Sequence, residues 1–302
     1  MPWPKQVKIV EVGPRDGLQS ERGSHLTVSQ RVELINLLTN AGLKSIESGS
    51  FVSPKHIPAM ADSEQVYAQL DHENGLDYSF LVPNQRGYES AVAAGVKSIS
   101  VFTAASEAFC QRNTNCSIEE SFERFSEFIP DAKSRGMRVR GYVSCIFRCP
   151  YEGYIQPIKV AKVSEVLLDM GCDEISFGDT IGVGTPQDVI NLMQYLSIPK
   201  EKIAMHFHDT YGMAIANIAT SLENGIHIFD SSISGLGGCP YAEGASGNVA
   251  TEDLVYLLNG LQISHGINMN QLLKASAFID ATLKRKSGSK VSLALQSECE
   301  SD

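Results

Sequence analysis

The chain alternates short apolar, β-branched runs with longer helical patterns, and this alternation limits its possible folds more than any single motif does. Eight runs predict strands, at residues 7–12, 44–49, 78–82, 97–102, 138–145, 173–178, 202–207 and 228–233. Eight longer patterns predict helices, at 28–41, 63–70, 85–94, 117–134, 159–170, 186–196, 214–224 and 251–259. Eight strand–helix units predict an α/β (β/α)₈ TIM barrel. A doubly wound sheet is the alternative, but no GxGxxG motif follows the first strand.

No internal linker interrupts this pattern, so we expect one catalytic barrel domain over residues 1–302. Residues 268–302 are expected to add a C-terminal helix, a basic stretch and a polar tail. In barrels of this kind, the chemistry lies at the C-terminal ends of the strands and in the loops that follow them. The polar residues after the predicted strands are therefore the candidates for a site.

Composition narrows the choice of partners. The net charge of −10 argues against nucleic acid, because phosphate binding needs clustered Lys and Arg. No apolar run approaches the ~18 residues of a membrane span. The seven cysteines form no CxxC pair, so neither a disulfide framework nor a zinc knuckle is expected, and Cys145 and Cys172 are expected in the core. Since the first residues lack the pattern of a targeting peptide, we expect a cytoplasmic protein.

His206 and His208 lie two residues apart at the end of the seventh predicted strand. Residues i and i+2 of a strand share a face and lie roughly 7 Å apart, so two such imidazoles can grip one metal ion. Barrel closure brings Asp16, after the first strand, and Asn248, after the eighth, next to them. Two imidazoles, a carboxylate and an amide oxygen favour Mg²⁺ or Mn²⁺ with an open coordination position, although Zn²⁺ or Co²⁺ also fit.

Three further charged residues follow predicted strands. Arg15, beside Asp16 in a glycine-bracketed turn, is a multidentate donor suited to a developing oxyanion. Asp179 follows the sixth strand and has three possible roles: metal ligand, proton acceptor, or a brace for the turn at Thr180. Glu47, near the end of the second strand, is either a catalytic group or the partner of Arg15 in a buried structural ion pair.

The stretch SGLGGCPYAEGASGNVATED, residues 234–253, places Cys239 among five glycines. Glycine destabilises a chain relative to alanine unless the backbone needs positive φ or a close approach. The stretch is therefore either a flexible surface turn with an incidental cysteine or a loop that delivers a reactive sulfur to a ligand.

Several motifs together resemble the hydroxymethylglutaryl-CoA lyase branch of the DRE-type metallolyase barrels. They are GPRDGLQ, IESGSFVSP, NCSIEES, GDTIGVGTP, HFHDTYG and GLGGCPYAEGASGNVATEDLVYLL, in this order along nearly the whole chain. The resemblance implies a lyase that splits 3-hydroxy-3-methylglutaryl-CoA into acetoacetate and acetyl-CoA by a metal-assisted reverse Claisen reaction, with Mg²⁺ or Mn²⁺ as cofactor. It also implies a homodimer.

The same resemblance assigns roles to individual residues. The implied metal ligands are Asp16, His206, His208 and Asn248, and the implied catalytic residues are Arg15, Glu47, Asp179, His206 and Cys239. Cys239 is expected to protonate the acetyl-CoA enolate, and either Asp179 or His206 to accept the hydroxyl proton. The implied substrate-binding residues are Arg15, Gln19, Ser50, Asn113, Tyr142, Thr180 and Lys286.

Three alternatives stay open at this level. A condensing transferase of the isopropylmalate or homocitrate synthase type would share the metal site, but the Gly-Gly-Cys loop and the absence of a C-terminal regulatory segment count against it. A lyase for a longer 3-hydroxyglutaryl-CoA homologue fits the same motifs. A catalytically silent metal-binding barrel would not need Arg15, Asp179 and Cys239 together.

Overall fold

The computed structural model describes residues 3–21, 25–72, 75–238 and 247–299. Within them, eight parallel strands form a closed barrel in the order β1-β2-β3-β4-β5-β8-β9-β10, with β10 pairing to β1. The barrel strands are β1 Lys8–Glu11, β2 Ser45–Ser50, β3 Asp77–Leu81, β4 Ser98–Ala104, β5 Arg138–Ser144, β8 Glu174–Asp179, β9 Ile203–Phe207 and β10 Ile228–Ser231. A small hairpin, β6 Arg148–Cys149 and β7 Gly153–Tyr154, lies outside the barrel. The predicted TIM barrel is confirmed.

The described helices surround the barrel and alternate with its strands. They are α1 Leu18–Ser20, α2 Val28–Asn40, α3 Ser63–Gln69, α4 Gln85–Ala94, α5 Glu107–Thr114, α6 Ile118–Ser126, α7 Ile129–Ser134, α8 Pro157–Asp169, α9 Pro186–Met193, α10 Ala214–Glu223, α11 Thr251–Gly260, α12 Met269–Leu283 and α13 Lys290–Cys299. The predicted helix at 117–134 is two helices, because Pro130 lies in the first turn of α7 and has no N–H to continue the ladder of α6. Helix α5 and the hairpin were not predicted. No described helix is long and apolar enough to cross a membrane.

The C-terminal extension is more ordered than the sequence indicated. Helix α12 confirms the predicted extra helix, and a further helix, α13, lies within the segment that was expected to be a polar tail. Asp253 of α11 holds the start of α13: its Oδ1 accepts hydrogen bonds from Ser289 Oγ at 2.7 Å and from the N–H of Val291 at 3.0 Å. This tertiary contact stabilises a helix that the sequence pattern did not predict.

The two faces of the barrel strands bury different kinds of side chain. The outward face joins the helices in one large apolar core, whereas the lumen holds only a small apolar cluster of Val10, Val12, Ala204 and Ile228. Many other buried side chains of the lumen are polar or charged, among them Glu47, Ser100, Arg140, Glu174, Ser176, His206 and Asp230. Buried charges need partners, so this lumen must be organised by ion pairs and hydrogen bonds.

Candidate active site

The segment after β1 places two charged side chains at the C-terminal end of the barrel. Here the chain forms a tight helical turn, Gly13–Gly17. Arg15 donates from Nε to Glu47 Oε2 at 2.6 Å and from Nη1 to Asp16 Oδ1 at 2.8 Å. Glu47 is fully buried and also accepts a hydrogen bond from Ser100 Oγ at 2.6 Å. Glu47 is therefore the buried partner of Arg15, and its catalytic role stays a prediction.

Three predicted metal ligands meet beside this turn. Asp16, His206 and His208 each offer one ligand atom, and these atoms all lie within 4.8 Å of one another. Asn248 borders the same cluster, since its Nδ2 donates to Asp16 Oδ2 at 2.8 Å. Barrel closure thus brings together residues from the two ends of the chain, as the sequence predicted.

The charge states of these side chains follow from their surroundings. Burial opposes ionisation of Asp16, but Arg15, His206 and His208 hold its pKa well below the usual range. Burial and the neighbouring His206 lower the pKa of His208 to about 4. Burial also disfavours the charged form of His206, yet Asp230 and Asp16 raise its pKa above the ordinary value. The cluster therefore presents an ionised carboxylate beside a neutral imidazole, His208.

These residues fit a divalent cation. His208 Nδ1 is buried and has no hydrogen-bond partner among the described residues, a costly arrangement unless a ligand occupies the site. One ionised carboxylate and two imidazoles, with Asn248 adjacent, form a set of nitrogen and oxygen donors without thiolate. Such a set suits Mg²⁺ or Mn²⁺ and does not exclude Zn²⁺.

Asp179 occupies a different position from the cluster. It ends β8, is 1% exposed, and accepts backbone hydrogen bonds from Val183 at 3.2 Å and Gly184 at 2.8 Å. Burial raises its pKa to about 6 against these two donors. Asp179 thus braces the turn after β8 and keeps a pKa close to neutrality.

A cavity of about 1900 Å³ opens at this end of the barrel. Nine of the predicted site residues line it: Arg15, Asp16, Gln19, Ser50, Asn113, Tyr142, Thr180, His206 and His208. Glu47, Asp179, Asn248 and Lys286 are not among its lining residues. Lys286 is exposed in the link between α12 and α13, and its contact with substrate stays a prediction. Cys239 lies outside the described residues.

Several lining side chains have their polar atoms already fixed. Tyr142 accepts a hydrogen bond from Arg140 Nη1 at 2.8 Å, and its ring centroid lies 5.6 Å from Arg15 Cζ. Thr180 Oγ1 accepts from the N–H of Cys145 at 2.8 Å. Gln19 Oε1, in contrast, is buried without a partner in the described part of the chain. Gln19 is thus positioned to accept a hydrogen bond from a ligand.

Sequence reasoning missed the residues beneath the site. Asp230 of β10 lies 3.2 Å from His206 Nδ1 through Oδ2, and its Oδ1 accepts from Arg140 Nη2 at 2.6 Å. Ser176 Oγ donates to Asp230 at 2.8 Å. The available signal was polar spacing: Arg138, Arg140 and Tyr142 alternate within an apolar strand, as lumen-facing residues do.

The expectation about cysteines is confirmed for the described residues. Cys145 and Cys172 are 0% and 2% exposed, and Cys110, Cys116 and Cys149 are also free and buried. Burial raises the pKa of Cys172 to about 12 and that of Cys145 further still. Neither thiol is therefore suited to act as a nucleophile or an acid near neutral pH.

Comparison with known proteins agrees with this geometry. The family model described as HMGL-like matches residues 6–279. A Pseudomonas aeruginosa protein named 3-hydroxy-3-isohexenylglutaryl-CoA/hydroxy-methylglutaryl-CoA lyase is 52% identical over 98% of this chain and 99% of its own length. The crystal structure of hydroxymethylglutaryl-CoA lyase from that organism superposes with a TM-score of 0.96 at 51% identity, covering 99% and 100% of the two chains. An HMG-CoA lyase from Acinetobacter baumannii in complex with coenzyme A and 3-methylmalate gives 0.90 at 33% identity, covering 96% and 95%.

Proposed function

Because the chain belongs to the HMGL-like family, we propose that it cleaves 3-hydroxy-3-methylglutaryl-CoA into acetoacetate and acetyl-CoA. The observation that carries this proposal is the cluster of Asp16, His206 and His208 against Arg15, on the wall of a cavity that is large enough for an acyl-CoA. Residues 1–302 would act as one catalytic domain.

The chain's metal requirement follows from the cluster. Asp16, His206, His208 and Asn248 would hold Mg²⁺ or Mn²⁺, which supplies Lewis-acid polarisation of substrate oxygens when bound. Asp230 orients His206 through Nδ1, a role that carboxylates commonly play behind histidine ligands. Asn248 holds Asp16 through its amide nitrogen, so the carboxylate keeps its orientation.

Arg15 supplies a positive charge close to the oxygen that becomes negative during the reaction. Breaking the C2–C3 bond leaves acetyl-CoA as an enolate, whose negative charge lies on the thioester oxygen. The bonds to Glu47 and Asp16 use Nε and Nη1 of Arg15, and leave Nη2 to donate to that oxygen. Because these two carboxylates fix the guanidinium in advance, it need not reorganise during the reaction.

Two protons must move, and the chain offers separate groups for them. Asp179 or His206 accepts the proton of the tertiary hydroxyl. Asp179 has the pKa of about 6 that suits a base. His206 lies on the cavity wall, but with Nδ1 against Asp230 and its other nitrogen on the metal it would have to release one of them to accept the proton. Asp179→Asn separates these alternatives, since loss of the acid limb of the kcat/KM profile identifies Asp179 and its survival identifies His206. Cys239 then protonates the enolate.

The direct test measures acetoacetate from hydroxymethylglutaryl-CoA in a coupled assay. EDTA should abolish turnover, and Mn²⁺ or Mg²⁺ should restore it. Full turnover in protein that elemental analysis shows to be metal-free would contradict the metal role. Release of free CoA from acetyl-CoA and a 2-oxo acid, without lyase activity, would instead identify a condensing transferase.

The role of Cys239 has its own test. A thiol-alkylating reagent should inactivate the enzyme, and saturating substrate should protect it, with mass mapping placing the label on Cys239. The buried Cys145 and Cys172 serve as internal controls, because their raised pKa values disfavour the thiolate. If inactivation follows label on another cysteine, or if Cys239→Ser keeps a near-normal kcat, the acid role is wrong.

A second substrate is favoured by the cavity wall. Apolar side chains line much of it, including Phe51, Val52, Leu81, Phe102 and Phe109. Such a wall can hold an apolar chain in place of the 3-methyl group, and the Pseudomonas relative is named for an isohexenyl substrate as well. The ratio of kcat/KM for the isohexenyl and methyl substrates tests this preference.

We further propose a cytoplasmic homodimer. The buried, unpaired thiols suit a reducing compartment, and the bacterial relative matches over 99% of its length. Sedimentation velocity should give twice the 32.8 kDa chain mass, and a monomeric mass at micromolar concentration would exclude the dimer.

A further inference from the structure

Glu11, the last residue of β1, is a fully buried carboxylate that has no place in the mechanism above. Its Oε1 accepts hydrogen bonds from the N–H of Gly13 and the N–H of Ile233, both at 2.8 Å. Its Oε2 accepts from Thr251 Oγ1 at 2.6 Å. These three hydrogen bonds engage both carboxyl oxygens of Glu11, so its side chain is a rigid junction between the three donors.

The three donors belong to the three segments that carry site residues. Gly13 begins the turn that holds Arg15 and Asp16, and Thr251 begins α11, three residues after Asn248. Ile233 begins the 3₁₀ turn Ile233–Gly235, six residues before Cys239. One side chain therefore contacts segments that are more than 200 residues apart in sequence.

The fit around Glu11 is tight. A Cβ built on Gly13 would lie 2.6 Å from Glu11 Oε1 and 3.1 Å from Ser232 Oγ, so the turn can approach the carboxylate only because residue 13 is glycine. Thr251 is held in turn by Ser231, whose Oγ lies 2.8 Å from Thr251 Oγ1. The carboxyl group of Glu11 is therefore packed against the Gly13 turn on one side and against Thr251 on the other.

We propose that Glu11 is a positioning residue for the lyase reaction. Its side chain fixes the position of the Arg15–Asp16 turn relative to the segments that lead to Cys239 and to Asn248. It touches neither substrate nor metal. Its effect passes through the backbone of Gly13 to Asp16 and through Thr251 to Asn248. The inference rests on the proposed function, but its first consequence is metal affinity, which is measured without turnover.

Glu252 provides a matched control. It is also fully buried and lies at the same end of the barrel, where it accepts the N–H of Ser234 at 3.0 and 3.1 Å. It makes no hydrogen bond to the Arg15–Asp16 turn among the described residues. Loss of Glu252 therefore reproduces the loss of a buried carboxylate near the Cys239 segment without releasing Asp16.

The test compares Glu11→Ala with Glu252→Ala, and Glu11→Gln with Glu252→Gln, in the full chain. The readouts are the Mn²⁺ dissociation constant by titration calorimetry, kcat and KM, and the free energy of unfolding in urea. Glu11→Ala should weaken Mn²⁺ binding about 10–100-fold, the usual effect of losing a group that orients metal ligands, and should lower kcat more than it raises KM. Glu11→Gln keeps an acceptor for the two N–H groups and should recover most of the affinity.

Three outcomes decide the proposal. Weakened Mn²⁺ binding in Glu11→Ala, with wild-type binding in Glu252→Ala, supports it. An unchanged Mn²⁺ constant in folded Glu11→Ala, or an equal loss in Glu252→Ala, overturns it. If Glu11→Ala does not fold, Thr251→Val removes the Oε2 bond together with the contact to Ser231, keeps both Oε1 bonds, and is expected to weaken Mn²⁺ binding; no weakening there also overturns it. Absence of lyase activity in the wild type would refute the proposed function and leave the Mn²⁺ comparison intact.

Discussion

The barrel lumen contains two charged networks, and they differ in how completely their charges are paired. The lower network lies at the N-terminal ends of the strands and comprises Lys8, Asp77, Arg138, Arg140 and Glu174. Glu174 lies 3.1 Å from Lys8, 2.6 Å from Arg138 and 2.8 Å from Arg140. Arg138 also donates to Asp77 at 2.7 Å. Every charge in the lower network has an opposite charge in contact.

The upper network lies at the C-terminal ends and comprises Arg15, Asp16, Glu47, His206, His208 and Asn248. Only its Arg15 side resembles the lower network, with carboxylates at 2.6 and 2.8 Å. His208 Nδ1 has no partner among the described residues, although it is buried. Buried charge alone therefore does not mark a site in this protein. The site is marked by His208, a buried imidazole with an unpartnered nitrogen beside the ionised carboxylate of Asp16.

The largest effect is expected in the lower network. Glu174→Ala leaves Arg140 without one of its carboxylates in the lumen, and removing one member of a buried ion pair typically lowers the free energy of unfolding by about 3–5 kcal/mol. Urea denaturation measures it, with Arg135→Ala, from the exposed pair with Asp131, as the control that should change little. A loss below about 1 kcal/mol, the scale of a surface pair, would show that the lower network is not structural.

Arg15→Gln should have the next largest effect, on kcat. Removing one donor to a developing oxyanion typically lowers kcat about 10²–10³-fold, while KM changes much less. Arg138→Gln, the control in the lower network, should keep the wild-type kcat per folded molecule. If steady-state kinetics show only a KM effect for Arg15→Gln, Arg15 binds substrate and does not act in the bond-breaking step.

Asp230 joins the two networks, because it accepts from Arg140 and contacts His206. Asp230→Asn should weaken Mn²⁺ binding by about 10–100-fold, since the amide cannot fix the imidazole as a carboxylate does. Ser176→Ala removes a bond to the same carboxylate and should weaken binding far less. Equal Mn²⁺ dissociation constants for the wild type and Asp230→Asn would mean that Asp230 does not orient His206 for metal binding.

The last comparison concerns pH and contrasts two buried glutamates; its effect is the smallest for a change of one pH unit. Burial opposes ionisation of Glu174, but Arg140, Lys8 and Arg138 lower its pKa below the ordinary value. Burial raises the pKa of Glu252 to about 8, with no cation paired to it in the described residues. A carboxyl group whose pKa is higher in the folded than in the unfolded chain contributes its full stabilisation below the pKa of the unfolded chain. This contribution is lost as pH rises through the pKa of the folded chain.

Between about pH 5 and 8, Glu252 should therefore reduce the free energy of unfolding by up to about 1.4 kcal/mol per pH unit. Glu252→Gln should flatten the pH dependence by that amount relative to the wild type. Urea denaturation of both proteins at several pH values measures the difference. Parallel curves would show that Glu252 is ionised in the folded protein throughout this range.

Sequence patterns anticipated the barrel and most of the site, for reasons that particular elements illustrate. All eight barrel strands were predicted to within a few residues, because each buried strand is a short apolar run between helical patterns. His206 and His208 carry their own signal in a two-residue spacing. The single helix expected at 117–134 was wrong, because the effect of Pro130 depends on whether the chain can start a new helix there.

The partners of the site were harder to predict. Asp230, Arg140 and Glu11 stand in apolar strands with no local motif, and their importance comes from residues up to 240 positions away. Polar spacing within a strand places such residues on one face, but it does not say whether that face points into the lumen or which strand lies opposite. Lys286 was expected at the mouth from a basic segment that resembles the family; it does not line the cavity, and its role stays a prediction.

The sequence by itself determined the strand–helix alternation, the family and the identity of the groups that carry the proposed chemistry, because these depend on local patterns and on side-chain type. Which of these charged groups have a partner in contact, and which do not, depends on the tertiary structure. Barrel closure sets β10 beside β1, so that Glu11 meets Ile233 and Thr251, and Asp16 meets His206. Pairing is a property of distances across the closed sheet, and distances of that kind are fixed only when all eight strands are in place.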